Sequence, residues 1–563
     1  MSLLLTQLGK VELARSYFRD IRTDNDFYYF CFGKTTEWAD EDNPPASVDQ
    51  PLDTNQFRRN IMFIKKITSA NVCSIVRRID WTSGEIYDRY DDQYLGLVSG
   101  NSGYENRSWR TATKLFNANF YVLTDDYNIY KCIDNRDSNG DVTASLDKPT
   151  TTGVEVQITS DNYHWKYLGT ITDGDKTRFL DDNWMPVRKL VGRTQSDGTP
   201  DENDTVADTF DVNGELDTVT IVDGGSGYVS PQVSVVGDGV NGDVDVTVSA
   251  GVITTATISQ VGNGYSFALV QVQDIAGTGA QLKLGLGDVD SALSLDQAAV
   301  ENSATKGTID RIEITTAGVG YTDGDTSITV TGDGSGATAI PTIDNNGSIS
   351  GITITNAGSN YTFANVTITE GVGTATTLAT ARAVVSPING HGSNIVRELF
   401  STTLALSISL SDPDNEDLIL NNDFRQIGLI KNVKEYTDAS QQYNNTTGRA
   451  TFEIELANAT EYGKYTIDDT VTTASGGEFI VAQKLSSTSG YFIYLIPVIP
   501  EIQTASPFED LTVNSDTTLA ADINSISVPE FSTKTGEIVY VENRGAINRT
   551  QDQAEIIKAF VTF

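Results

Sequence analysis

Apolar and polar positions follow two rhythms along this chain. Over the first twenty residues, Leu5, Leu8, Val11, Leu13, Ala14 and Phe18 recur at roughly helical spacing, which predicts an N-terminal helix. Beyond it the rhythm shortens. Phe27 to Phe32 reads as an aromatic strand, followed by a Gly turn and the acidic, Pro-closed loop TTEWADEDNPP. NIMFIKKITSANVCSIVRRIDW holds two short apolar segments and a basic pair just before Asp80 and Trp81. NFYVLTDDYNIYKCID predicts a hairpin with Asp125 and Asp126 near its turn, and DNYHWKYLGTI a further aromatic strand. Residues 1–200 thus read as one α+β unit rich in aromatic residues.

The polar, acidic stretch RTQSDGTPDENDT marks a linker, and the composition changes after it. Up to about residue 390 the chain uses Gly, Thr, Val, Ile, Asp and Ala. Alternation is plain at Val219 and Ile221, at Val233 and Val235, and at Val244, Val246 and Val248. Four short elements punctuate these strands: GSGY ending at Tyr228, GNGY at Tyr265, GVGY at Tyr321 and the weaker GSNY at Tyr361. Within each pair the spacing is roughly 40 residues, the mark of a repeated supersecondary unit. GTGA (Gly277–Ala280) and GSGA (Gly334–Ala337) are a second mark. The unit reads as strand, GxGY turn, strand, GxGA turn, strand.

A phosphate loop needs a helix directly after its glycines. Here Pro231, Val233 and Val235 follow, and no Lys-Ser/Thr pair does. GDGVNGDVD and TGDGSG put carboxylates beside glycines, but no calcium-binding repeat is sustained, and SDPDNEDLILNND lacks the sixth-position Gly of an EF-hand loop. The structural reading is that Gly supplies turns and Tyr caps a small β-core, its hydroxyl in water. After the repeats, residues 436–524 alternate well and read as a small β-barrel or sandwich.

The formal net charge of −37 over 563 residues argues against nucleic acid and anionic membrane surfaces as partners. Cys31, Cys73 and Cys132 are odd in number and widely spaced, so buried free thiols are expected rather than disulfides or a zinc site. The N-terminal stretch lacks a signal-peptide pattern, and no apolar run approaches membrane-span length. The two histidines, His164 and His391, lie far apart, and His391 reads as a junction turn. No nucleophile elbow, HExxH or CxxC occurs, so no enzyme activity, metal or cofactor is expected.

The final stretch, GEIVYVENRGAINRTQDQAEIIKAFVTF, resembles the C-terminus of the baseplate wedge subunit of T-even-like contractile-tailed phages, the gene product eight family. The shared residues are Gly536, Glu537, Tyr540, Glu542, Asn543, Arg544, Asp552, Gln553, Phe560, Thr562 and Phe563. FGKTTEWADEDNPP, RRIDW, YKCID, HWKYLGTI and DFRQIGLIKN are similar to further family blocks, in the same order. The resemblance implies a non-catalytic homodimer that contacts the wedge proteins of gene products six, seven and ten in a virion tail. Length and composition, read on their own, favour a mainly β, multidomain chain. The wedge core would occupy 1–200, 391–435 and 525–563, with β-rich domains inserted at 201–390 and 436–524. Arg77, Arg78, Trp81, Tyr540, Asn543 and Arg544 are the assembly candidates. The alternative reading makes the GxGY region a carbohydrate-binding adhesin, with Tyr228, Tyr265, Tyr321 and Tyr361 stacked on host glycans.

Overall fold

In the computed structural model the chain is mainly β and multidomain. The described residues exclude 1–4, 23–25, 49, 69–70, 95–111, 113, 138–140, 191–214, 238–239, 264, 266–267, 288–291, 372–374, 412–421, 488–489, 505–510, 514–522 and 550–553. The expected linker, most of the acidic loop after residue 411, and Asp552 and Gln553 lie outside the described residues. The chain divides into two units. The first is Met1–Phe18, Cys73–Ala405 and Ala559–Phe563; the second is Arg19–Val72 and Leu406–Lys558.

The N-terminal helix spans Gln7–Arg22. Its buried stripe is Val11, Ala14, Arg15, Phe18 and Ile21, at spacings of three and four. Leu5, Leu8 and Leu13, counted toward the apolar face from sequence, are exposed instead. In the first unit the strands Tyr121–Leu123 and Asn128–Asp134 form the expected hairpin, and His164–Thr170 pairs beside the second of them. Their core stacks Tyr87, Tyr130, Tyr163, Trp165 and Tyr167, none more than 2% exposed.

The Gly-rich region forms two six-stranded lobes of one topology. In each, the first strand pairs the sixth, the second the fifth and the third the fourth, all antiparallel. The first lobe runs from Glu215–Ser226 to Thr278–Gly287, the second from Ile309–Thr316 to Thr380–Val385. Each lobe holds two of the repeats read from sequence, and the two clasp each other. Tyr228 of the first repeat accepts a hydrogen bond from the Ala280 amide of the second (3.1 Å), and Tyr265 of the second accepts from the Gly242 amide of the first (2.9 Å). Likewise Tyr321 accepts from the Ala379 amide (2.7 Å) and Tyr361 from the Ala337 amide (3.4 Å). This reciprocity explains why the repeats come in pairs. It also corrects the wet-hydroxyl expectation: each hydroxyl satisfies a backbone N–H of the neighbouring repeat.

The glycines of the second mark follow from the same contact. A Cβ on Gly277 would lie 2.2 Å from the Tyr228 ring, and one on Gly334 would lie 2.5 Å from that of Tyr361. Nothing larger than Gly fits beneath the rings.

Between the lobes runs a helix, Ala292–Ser303, which packs on His164–Thr170 of the aromatic sheet. Val300 is fully buried there, and the Gln297 amide donates to the Arg188 carbonyl at 2.6 Å. The sequence SALSLDQAAVENSA carries no basic residue and only a weakly amphipathic pattern, so its helical rhythm is hard to see beside flanking strands.

The second unit holds a five-stranded sheet in the spatial order 447–449, 61–66, 28–33, 422–431, 537–549. A six-stranded sheet contains 452–456, 470–473, 478–487, 490–499, 511–513 and 523–527. Phe452, Ile454, Val471, Phe479, Ile493 and Leu495 form its core. This sheet falls on the stretch 436–524 read from sequence as a small β-barrel or sandwich, and its last strand runs on to Ser527.

Candidate functional site

In the second unit, three stretches far apart in sequence converge on one charged joint. Arg425, on the central strand Asn422–Lys431, is 3% exposed. Its Nε donates to Glu41 Oε1 at 2.7 Å, and its Nη2 to Asp423 at 3.1 Å. The other Glu41 oxygen accepts from the Ala546 amide at 3.1 Å, and Glu41 also accepts from the Trp38 amide at 2.6 Å. Trp38 Nε1 donates to the Arg544 carbonyl at 2.7 Å. A second chain of bonds runs beside it. Asn60 donates to Gln426 (2.7 Å), Gln426 to Asn543 (2.8 Å) and Asn543 to the Pro45 carbonyl (2.9 Å). The acidic loop is thus pinned across two strands by side-chain amides and one buried guanidinium.

Of the expected assembly residues, Asn543 and Arg544 meet at this joint. Arg544 enters through its carbonyl; its exposed side chain pairs with Glu542 at 2.8 Å. Tyr540, on the same strand, is 46% exposed, and its hydroxyl donates to Glu542 at 3.1 Å. Arg77, Arg78 and Trp81 lie in the first unit and tie its strands together. Arg77 donates to Asn119 Oδ1 at 2.7 Å, Arg78 to Asp80 at 2.9 Å and to the Asp181 carbonyl at 3.0 Å. Trp81 donates to Ser145 Oγ at 3.1 Å and packs against the aromatic core. Tyr228, Tyr265, Tyr321 and Tyr361 are 3–4% exposed, so their ring faces are not presented for stacking on a sugar.

Exposed carboxylates hold the lobe loops. Asp274 accepts four backbone amides, from Val229, Ser230, Ala276 and Gly277. These bonds, that of Ala276 first, bring its carboxyl down to about 2. Asp333 does the same for the Tyr361 loop, held at about 2 by the Thr362 hydroxyl and by amides.

The largest ionic feature was not read from sequence. Arg311 and Glu313 on the first strand of the second lobe, and Arg382 on its last, face Arg89, Asp91, Asp92 and Asp134 of the first unit's core. Arg89 to Glu313 is 2.7 Å, Arg311 to Glu313 2.9 Å and Arg382 to Glu313 2.6 Å, and Arg382 also pairs with the fully buried Asp91. Burial alone would raise the Glu313 carboxyl, yet Arg311, Arg89 and Arg382 hold it at about 2. Beside this network Lys131 and Glu398 form a fully enclosed pair at 2.6 Å. His391 stands edge-on to Tyr90 and bonds Asp310 at 2.6 Å. Burial lowers the His391 pKa, against the pull of Asp310. His391 sits in the expected turn. The signal for the network was in IDRIEITT, where Arg311 and Glu313 occupy one strand face, a pattern that also fits a solvated strand.

Asp92 behaves oppositely to its neighbours. Burial raises its carboxyl to about 6, with Asp91 adding to the rise, and Arg382 at 3.4 Å does not offset this. The folded chain therefore holds this proton more tightly than the unfolded one. Its stabilising contribution is full below the unfolded pKa of about 4 and is lost as pH rises through about 6. Asp92→Asn is expected to raise stability at pH 7 by about 1–2 kcal/mol after allowance for solvent, with the gain closing toward pH 4. Denaturant melts at the two pH values check this; an equal gain at both would reject it.

The three thiols are buried, and burial pushes the Cys73 thiol up to about 12. Among the described residues no cluster of three or more His, Cys, Asp or Glu is placed to hold a metal ion. No helix among them is long and apolar enough to cross a membrane. No protein-family model matches the chain, and no curated protein is detectably similar to it.

Proposed function

We propose that this chain is a non-catalytic structural component of a phage tail baseplate wedge, acting as a homodimer that contacts other wedge proteins. One observation carries the reading. The blocks that resemble the wedge family are separated by hundreds of residues, yet three of them fold side by side. Tyr28–Gly33, Asn422–Lys431 and Glu537–Arg549 are consecutive strands of one sheet, and the Trp38–Pro45 loop is bonded to the third of them. A set of blocks that interlock in this way behaves as one scaffold. The net charge of −37 and the abundance of turns suit a protein that works by presenting surface.

The lobes extend that surface, and their tyrosines serve cohesion. Antibodies raised against the second lobe test the assignment by electron microscopy of particles from cells that express this gene. Label confined to the distal end of the tail supports it. Absence from particles, with the protein recovered free in the lysate, would overturn it.

A further inference from the structure

We propose that the outer edge of the five-stranded sheet pairs with the same edge of a second copy of this chain, around a twofold axis at Val541. The strand Glu537–Arg549 is the longest among the described residues, and it has a neighbour on one side only, Asn422–Lys431. Long edges are normally shortened or covered, because their free N–H and C=O groups are a template for another strand. Here the cover is partial. The Trp38 side chain takes the Arg544 carbonyl at 2.7 Å, and Glu41 takes the Ala546 amide at 3.1 Å. From Ile538 to Glu542 the backbone makes no bond outside the sheet among the described residues.

The uncovered stretch is complementary to itself. Tyr540 pairs with Leu429 and Ile538 with Ile430, so Val539 is an extra residue, a β-bulge. Ile538 and Val541 pack on the core, whereas Val539 and Tyr540 are 41% and 46% exposed, both turned outward at the bulge. With the bulge counted as one position, an antiparallel copy centred on Val541 keeps the two faces of the sheet in step. Ile538 then faces Asn543 of the other copy, and Val539 and Tyr540 face Glu542. The same register sets Glu537 of each copy opposite Arg544 of the other, twice across the axis. Both side chains are exposed, 71% and 48%, and are free to reach across. On their own copy Glu537 pairs with Lys431 at 3.4 Å and Arg544 with Glu542 at 2.8 Å. Opposite charges directly across an antiparallel pair stabilise it, and like charges oppose it. The pairing ends at Arg544, where Trp38 and Glu41 take over the edge. A contact of this kind uses the same patch on both copies, so it closes as a dimer and does not grow into a fibre.

The inference rests on the homodimer of the proposed function and assigns its surface. Sedimentation equilibrium of the full chain tests it by exchanging the two charges. Arg544→Glu creates two acid–acid contacts across the axis, and Glu537→Arg creates two base–base contacts. Each variant alone is expected to dimerise at least about tenfold more weakly than the unmodified chain. Mixed in equal amounts, the two variants restore both Glu–Arg contacts and should return the dimer mass. Both positions are exposed, so folding tolerates the changes, and unchanged tryptophan fluorescence verifies it. Dimers of either variant as tight as the unmodified one, or variants that stay monomeric when mixed, would overturn this surface and leave the homodimer standing. An unmodified chain that stays monomeric at every concentration would overturn both.

Discussion

Tyr321→Ala unfolds the second lobe while the rest of the chain stays folded. The ring is 4% exposed and packs with Ile349 and Ala379. Its hydroxyl is the acceptor for the Ala379 amide. Removing a buried aromatic ring costs about 3–5 kcal/mol. A lobe of six short strands with a small core has little to set against that. Tyr321→Phe keeps the ring and strands one buried N–H, for a loss of about 1–2 kcal/mol. Hydrogen exchange resolves the two: protection across 309–385 should vanish in the Ala variant and weaken in the Phe variant. Protection unchanged in Tyr321→Ala would make the ring dispensable to folding and return weight to the glycan reading. Because the clasp is reciprocal, Tyr361→Ala should melt the same strands rather than only its own repeat.

Lys131→Met is the second large effect. Lys131 and Glu398 are 0% and 3% exposed at the side chain, and Lys131 also lies over the Tyr90 ring at 4.4 Å. Taking away the ammonium leaves a carboxylate buried without its counter-charge, a loss of about 3–5 kcal/mol. Lys131→Met combined with Glu398→Gln should recover at least half of it, since the uncompensated charge is gone. Lys148→Ala makes the contrast. That lysine pairs with Asp125 and Asp126, which are 79% and 56% exposed, and its loss should cost little by comparison. Denaturant melts followed by tryptophan fluorescence compare the variants. A cost for Lys131→Met no larger than for Lys148→Ala would mean that water reaches the buried pair.

The parts of the fold legible in sequence are those fixed by short-range rules. The hairpin at Asp125 and Asp126, the aromatic strands and the repeat order all follow from alternation and turn residues. Pairing between repeats was not legible, because a GxGY element states its own turn and says nothing about which amide its tyrosine will meet. The interlobe helix was hidden by weak amphipathicity. The buried ionic network was hidden for another reason. In a chain with 76 acidic and 39 basic residues, a few paired charges look like any others until the fold removes them from water. The same limit applies at the joint, where Trp38, Asn543 and Arg544 stood out as residues of the resemblance. Arg425 stood in the block DFRQIGLIKN, but nothing there marked it as the buried residue that anchors them.

The most direct test of the account is the solution mass of the purified full chain by light scattering. The assembly reading predicts a dimer, twice the 60.9 kDa of the chain, which gains further mass when mixed with wedge proteins from the same source. A monomer that stays a monomer in every mixture would contradict it.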